Sequence, residues 1–247
     1  MQRIVQPELL DTLPPADPRA ARSRRDLRRV NAWMRNHAIM TRALEKNWNG
    51  PAPKQIIELG AGDGNFLLRV AEAISPRWPG VNATLVDLQK NISAETLAAF
   101  ANLGWQVEPV VADVFEWSPP AGDGEVTIAN LFLHHFEDAR LAELLQKISR
   151  HAKLFIAVEP HRFSRAFACA QLLRLIGCND VTLHDAAVSI RAGFIGREIS
   201  ALWPDKQNWR LTEHRTGFFS HLFVAQKRAA GILPVEKPAA DKLSAAR

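Results

Sequence analysis

Short apolar runs alternate with amphipathic stretches along most of the chain beyond residue 54. Five of these runs predict buried strands at Gln55–Gly60, Ala83–Leu88, Val107–Ala112, Val126–Leu131 and Leu154–Glu159. The stretches between them predict helices at Asn65–Ile74, Ala94–Leu103 and Ala139–Ala152. Apolar strands that alternate with such helices are typical of a parallel sheet covered on both faces. Two last runs, Trp209–Glu213 and Phe218–Gln226, predict an antiparallel pair that completes a doubly wound, seven-stranded α/β sheet.

The first 50 residues have a helical pattern without strands. An apolar stripe at helical spacing runs through Leu27, Val30, Met34, Ala38 and Thr41. Asp17-Pro18 is typical of a helix start, and Asn49-Gly50-Pro51 of a chain break. We therefore predict an N-terminal helical cap of one or two helices over residues 1–50 and a domain at 51–227. The region Phe163–Leu202 is predicted largely helical, and the Ala-, Pro- and Lys-rich residues 228–247 are predicted to form a mobile tail.

The composition is that of an ordinary globular protein. The chain has 247 residues, of which 47% are hydrophobic and 23% charged, and this excludes a disordered chain or a fibre. The two cysteines, Cys169 and Cys178, exclude a disulfide scaffold and match no metal-site spacing. We find neither a signal peptide nor an apolar run of membrane-spanning length, so we expect a cytoplasmic protein without a bound metal.

Positive charge is concentrated in one short segment. The net charge is +5, but eight arginines lie between Arg19 and Arg42 against a single acid, Asp26. This segment is open to three interpretations: a solvated helix face, a lid that places Trp33 and His37 against a substrate, or a grip for RNA or an acidic protein. The rest of the chain carries no basic excess, which disfavours nucleic acid as a partner.

A glycine-rich loop follows the first predicted strand, in Glu58-Leu59-Gly60-Ala61-Gly62-Asp63-Gly64. Glycines at alternate positions let a ligand approach the backbone, at the sheet edge where open α/β folds bind ligands. Asn65 occupies the place of the last glycine of a dinucleotide fingerprint, and no P-loop lysine follows.

Acidic and amide side chains end the next three strands. Asp87 lies 25 residues after Gly62, where a carboxylate accepts both hydroxyls of a ribose. Asp113 is placed to accept from an adenine amino group, with Val114 and Phe115 as an apolar wall, and Asn130 ends the fourth strand. Each aspartate taken alone is also compatible with a turn or helix cap.

Together these motifs resemble those of class I S-adenosylmethionine-dependent methyltransferases, which have a Rossmann-like fold. The matching motifs are E-L-G-x-G-x-G, the acid after the second strand, A-D-V-F and A-N-L-F-L-H-H-F, in order over residues 54 to 160. The resemblance implies that S-adenosylmethionine is the cofactor, that Gly60, Gly62 and Asp63 hold its methionine part, Asp87 its ribose, and Asp113 with Val114 its adenine. The full set expected at the cofactor is Glu58, Gly60, Ala61, Gly62, Asp63, Asp87, Leu88, Asp113, Val114 and Asn130.

Histidines are the candidate catalytic bases for an acceptor that must lose a proton. His134 and His135 follow the fourth strand, and His184 stands beside Asp185, which is also compatible with a helix cap. Trp33, His37 and Arg191 are the candidate substrate contacts. Arg191 is equally compatible with a surface salt bridge.

An apolar insertion before the sixth strand favours a small acceptor, aromatic or polyketide-like, methylated at oxygen. The opening from Pro7 to Asn31 is also similar to methyltransferases that accompany type III polyketide synthases. The alternatives are an RNA or protein methyltransferase that uses the arginine-rich helix, and a non-catalytic module that retains the fold.

Overall fold

The computed structural model describes residues 2–14, 17–120, 125–163 and 173–228. The predicted tail beyond residue 228, Cys169 and residues 164–172 of the region predicted largely helical lie outside this part. The helices are α1 (Leu9–Thr12), α2 (Pro18–Met34), α3 (Asn36–Asn47), α4 (Asn65–Ile74), α5 (Ala94–Asn102), α6 (Asp138–His151), α7 (Asp180–Ala192) and α8 (Glu198–Leu202). The strands are β1 (Gln55–Leu59), β2 (Asn82–Asp87), β3 (Gln106–Val111), β4 (Val126–Asn130), β5 (Leu154–Pro160), β6 (Trp209–Thr216) and β7 (Ser220–Lys227).

The seven strands form one sheet in the order β3-β2-β1-β4-β5-β7-β6. Strands β1 to β5 are mutually parallel, and β7 runs antiparallel to both β5 and β6. The predicted fold class, a mostly parallel doubly wound sheet with an antiparallel last strand, is confirmed. The chain reverses strand order between β1 and β4, so the carboxyl ends of these two strands flank the crevice where such sheets bind ligands.

Strands β1, β2, β4 and β5 are covered on both faces, as their apolar runs predict, whereas the edge strand β3 has no buried residue. Ile56 packs into a core with α3 and α4, whereas its neighbour Ile57 packs into a second core with α6 and α8. The alternation follows from the two-residue period of a strand. Met40 and Leu44 of α3 are fully buried in the first core, so α3 shares its packing with the sheet.

The arginine-rich segment forms two helices rather than one. Arg35 adopts a left-handed conformation with φ of 54°, which ends α2 and starts α3 in a new direction. Asn36, fully buried, donates to the Asn130 side chain over 3.0 Å and accepts from the Ser220 hydroxyl over 2.7 Å. This chain of hydrogen bonds fixes the start of α3 over the ends of β4 and β7. Within the described residues, no helix is long and apolar enough to cross a membrane.

Candidate functional site

The glycine loop turns the chain from β1 into α4. Gly60, Gly62 and Gly64 all have positive φ, of 70°, 55° and 74°. A Cβ added to Gly60 would lie 2.2 Å from the Phe132 ring, so close packing requires glycine there. A Cβ added to Gly62 would meet nothing within 4 Å, because this part of the backbone faces open space. Gly60 therefore serves packing, and Gly62 leaves room for a ligand.

Three carboxylates surround this loop. Asp87 accepts hydrogen bonds from the backbone of Gly62 and of Gln89, each over 2.8 Å. Asp63 accepts from the Asn65 backbone over 3.1 Å. Glu58 is buried, and its Oε2 finds no hydrogen-bond partner among the described residues. Burial raises the pKa of Glu58 well above its usual value, and the nearby charges of Asp63 and Asp87 add to the rise.

Three residues of the set expected at the cofactor, Leu88, Asp113 and Val114, follow β2 and β3 on the same edge of the sheet. Leu88 is 71% exposed, whereas Val114 is buried in the core. Asp113 is exposed and accepts from the Phe115 backbone over 2.9 Å, which is the turn role that aspartate often has. Leu88 and Asp113 are therefore both exposed to solvent.

His134 is held in place by a carboxylate from the neighbouring strand. Leu131, at φ of 50°, turns the chain out of β4 into a 3-10 turn at Leu133–His135. Glu159 of β5 accepts from the backbone of Leu133 over 2.9 Å and lies 2.9 Å from Nδ1 of His134. Glu159 is fully buried, so the turn and the imidazole are fixed together.

A second carboxylate approaches the other side of the same ring. Oε1 of Glu8 lies 3.5 Å from Nε2 of His134 and accepts a hydrogen bond from Ser189. Burial alone lowers the pKa of His134, but Glu159 and Glu8 outweigh it and raise this pKa to about 9. Burial and the nearby His134 lower the pKa of His135 to about 4. The two imidazoles are adjacent, with 4.4 Å between their centroids.

One cavity of about 420 Å³ connects these groups. Its lining includes Glu58, the loop from Gly60 to Asp63, Asn130, His134, His135 and Glu8. The cap contributes Trp33, Met34 and His37, and the far wall includes Phe163 and Phe219. The Trp33 ring is 64% exposed and lies 5.2 Å from that of Phe219. The cavity thus has a polar floor at the sheet edge and an aromatic wall under the cap.

The remaining predicted residues lie outside the lining of this cavity. Asp87, Leu88, Asp113 and Val114 lie farther along the sheet edge. His184 is half-exposed on α7 and pairs with Asp185, while Arg191 is exposed. Asp185 does not cap a helix that starts after it, because α7 already begins at Asp180. Instead it accepts from the backbone of Leu9 and Leu10 at the first turn of α1.

Several site residues were not predicted from the sequence. Glu8 and Glu159 flank His134 from segments far apart along the chain. Arg28 lines the cavity, and its Nη1 lies 3.2 Å from Oδ2 of Asp63. The only signals in the sequence were that Glu159 ends a buried strand and that Arg28 belongs to the basic segment.

The arginine-rich helix makes contacts within the protein. Arg22 donates to the carbonyl of Gly177 over 3.1 Å, and Arg29 to that of Ile176 over 3.3 Å. With the pair between Arg28 and Asp63, these contacts join α2 to the glycine loop and to the turn before α7. Part of the basic face therefore holds the cap in place.

Comparisons with known proteins agree with this geometry. Residues 56–154 match a family described as a methyltransferase domain. No protein in the curated set matches the chain. The fold is similar to that of the plantazolicin methyltransferase BpumL in complex with SAH, at 13% identity and a TM-score of 0.60, over 86% of this chain and 92% of that one.

A second similar structure is the mitomycin 7-O-methyltransferase MmcR, at 18% identity and a TM-score of 0.57. The match covers 89% of this chain and 60% of MmcR. At such identities the likeness establishes the fold, and the family match establishes the domain that carries the glycine loop. The methyltransferase-domain match and the fold shared with a methyltransferase solved with SAH agree with the class I S-adenosylmethionine-dependent methyltransferase, and with the S-adenosylmethionine donor, expected from the sequence.

Proposed function

We propose that this protein methylates an oxygen atom of a small aromatic or polyketide-like acceptor. The observation that carries the proposal is the shared cavity, which joins the glycine loop to two histidines and an aromatic wall. Its volume of about 420 Å³ lies in the range of small-molecule sites. The likeness to MmcR, named as an O-methyltransferase, supports the same chemistry.

The glycine loop and its carboxylates fit the donor. Glu58 has a buried oxygen without a partner, and an ammonium group such as that of the donor's methionine part would satisfy it. Asp87 retains lone pairs for ribose hydroxyls beside the backbone bonds it accepts. Gly62 leaves open space for close approach, and the adenine is assigned to Asp113 with Val114, as the sequence motif implies.

Bound S-adenosylmethionine supplies a methyl group on a sulfonium, and its transfer breaks the carbon–sulfur bond, whose electron pair returns to sulfur. The acceptor oxygen forms the new bond and its proton leaves to solvent, which needs a group that favours the ionised hydroxyl. His134 and His135 line the cavity beside Asn130 and Glu8. We assign the step to this cluster, and give no role to His184 or Arg191, which lie outside the cavity lining.

The cap supplies the binding surface for the acceptor and excludes water from it. Trp33 and Phe219 present adjacent rings, and Met34 and Phe163 add apolar surface. Exclusion of water strengthens the electrostatic interactions of the reacting groups. In this proposal residues 1–50 act as a lid, which is one of the three interpretations that the sequence left open, and the cytoplasmic location stays a prediction.

The proposal is tested by transfer of labelled methyl from S-adenosylmethionine to a panel of phenols and pyrones, with RNA and peptide pools as parallel arms. We expect incorporation into small molecules, and a fall in kcat/KM of about tenfold or more for Trp33→Ala, through lost apolar contact. Phe218→Ala is the matched control, because Phe218 is 75% exposed and outside the cavity lining. Incorporation into RNA or peptide instead would overturn the proposal in favour of an RNA or protein methyltransferase. Incorporation into none of the three substrate classes would overturn it in favour of a non-catalytic module.

A further inference from the structure

Two imidazoles and one carboxylate converge at the acceptor end of the cavity. Glu8, His134 and His135 each offer a ligand atom, and these atoms all lie within 4.8 Å of one another. All three residues line the cavity. Glu8 reaches this place because Asp185 binds the backbone of Leu9 and Leu10 directly after it.

The orientation of His134 is typical of a metal ligand. Its Nδ1 lies 2.9 Å from Glu159, so its Nε2 is directed at Glu8 and into the cluster. This Nε2 is buried and makes no hydrogen bond with any described residue, since 3.5 Å to Glu8 exceeds hydrogen-bond distance. Metal-bound histidines usually have their second ring nitrogen held by a carboxylate in this way.

The surroundings of Glu8 and Glu159 reinforce the arrangement. Glu159 is fixed by the backbone of Phe132 and Leu133, over 3.1 and 2.9 Å, and Glu8 by the hydroxyl of Ser189. Arg3 anchors the N-terminal segment through the carbonyls of Phe136 and Ala192. The cluster is therefore supported by fixed neighbours on each side, which a metal centre requires.

We propose that Glu8, His134 and His135 bind a divalent first-row transition metal ion, zinc being the first to test. Two imidazoles and one carboxylate form a donor set found in catalytic zinc sites, whereas magnesium and calcium prefer oxygen ligands. Three protein ligands leave coordination positions open toward the cavity. This site differs from the sequence expectation, which included no metal.

The role of the ion rests on the proposed function. A divalent cation lowers the pKa of a nearby hydroxyl, so the acceptor oxygen enters the transfer ionised. The hydroxyl proton leaves to solvent, the oxygen pair forms the bond to the methyl carbon, and the carbon–sulfur pair stays on sulfur. No oxidant or reductant is needed. The metal site itself stands on the geometry alone, so its test needs no acceptor.

The first experiment measures metal binding by the full chain. After treatment with a chelator, the protein is titrated with Co²⁺ and Zn²⁺, and the Co²⁺ visible spectrum and retained metal after gel filtration are recorded. We expect one equivalent, and X-ray absorption of the zinc-loaded wild type should count two imidazole ligands. Absence of retained metal, or a count below two imidazoles, would overturn the proposal without any variant.

Variants then locate the site. We expect Glu8→Gln and His135→Asn each to weaken Co²⁺ binding by about tenfold or more, and Glu159→Gln by about 10- to 100-fold. His214→Asn is the matched control, because His214 is exposed on β6 and outside the cavity lining. Binding that persists at wild-type affinity in the folded Glu8 and His135 variants would overturn the assignment. If metal binds while every acceptor fails, the metal site holds and the proposed acceptor class is wrong.

Discussion

The backbone N–H of Gly62 donates a hydrogen bond to Oδ2 of Asp87 over 2.8 Å. This bond joins the glycine loop after β1 to the end of β2, so the Asp87 carboxylate helps to fix the loop that we propose for the donor. Glycine at position 62 keeps a positive φ of 55° that makes the N–H point there. We propose that loop conformation and donor binding are coupled through this side chain.

Substitution of Asp87 tests this coupling. Asp87→Ala removes the acceptor for Gly62 and the carboxylate for the ribose, so we expect SAH affinity to fall about 10- to 100-fold, since hydrogen bonds to charged groups contribute about 1.5–3 kcal/mol. Calorimetric titration with SAH measures the change. Glu143→Ala is the control, because Glu143 is exposed on α6 and its partner is Arg140 of the same helix. Equal affinity in wild type and Asp87→Ala would refute the role of this carboxylate.

Two glycines of the loop should respond differently to alanine. Gly60→Ala places a Cβ against the Phe132 ring, and we expect about 1–3 kcal/mol of overpacking beyond the roughly 1–2 kcal/mol for a left-handed backbone. Gly62→Ala should lose only the stability due to the left-handed backbone. Its Cβ would enter the space proposed for the donor, so we expect SAH binding to weaken by about tenfold or more. Thermal unfolding and calorimetry compare the two variants. A larger stability loss at Gly62 than at Gly60 would contradict this division.

We predict that replacing Glu58 by glutamine stabilises the fold and weakens donor binding. Its folded pKa lies above the unfolded value of 4.5, so the folded state binds the extra proton and stability falls as pH rises from about 4.5 toward the folded pKa. Glu58→Gln removes this loss, and we expect it to raise the free energy of unfolding at pH 7 by about 1–3 kcal/mol while it weakens SAH binding.

The matched control is Glu108→Gln, the same change at an exposed site of β3. Denaturant unfolding at several pH values from 4 upward should show the Glu58 variant and wild type diverging as pH rises, and the Glu108 variant following wild type. A difference that shrinks with rising pH has the wrong sign and would exclude a raised pKa at Glu58.

Substitution of Arg28 tests whether helix α2 supports cofactor binding or binds nucleic acid. Because its guanidinium pairs with Asp63 at the cavity, we expect Arg28→Ala to weaken SAH binding by about tenfold. The pair is exposed, so thermal stability should change by less than about 1 kcal/mol. Arg25→Ala, an exposed arginine outside the cavity lining, should leave SAH binding unchanged. If both variants bind SAH like wild type but lose affinity for RNA, the helix is a nucleic-acid grip.

The sequence predicted the sheet well because its signals are local. The continuous apolar runs gave the seven strands, and α4 has the predicted bounds of Asn65–Ile74. The break at Arg35 was not located, since a left-handed arginine has no sequence signature comparable to glycine. Helix α6 was predicted from Ala139 and begins one residue earlier, at Asp138, with Glu137 at the cap position.

The sequence singled out the glycine loop and four residues that line the cavity, Trp33, His37, His134 and His135, but it did not indicate the carboxylates Glu8 and Glu159 beside His134. The glycine loop and Asp87 carry local motifs, whereas the pairing of His134 with Glu8 joins residues 126 positions apart. No local pattern encodes a contact of that range, because it depends on where the N-terminal segment packs. For the same reason, the cluster of Glu8, His134 and His135 could not be predicted from the sequence.

The central claim is that the methyl donor and the acceptor meet in one cavity, beside His134 and His135. A crystal structure of the chain with SAH tests it most directly. We expect the homocysteine part against Gly60–Asp63 with its ammonium at Glu58, the ribose on Asp87, and the sulfur facing the two histidines across the cavity. SAH bound elsewhere, or with its sulfur turned away from the histidines, would contradict the account.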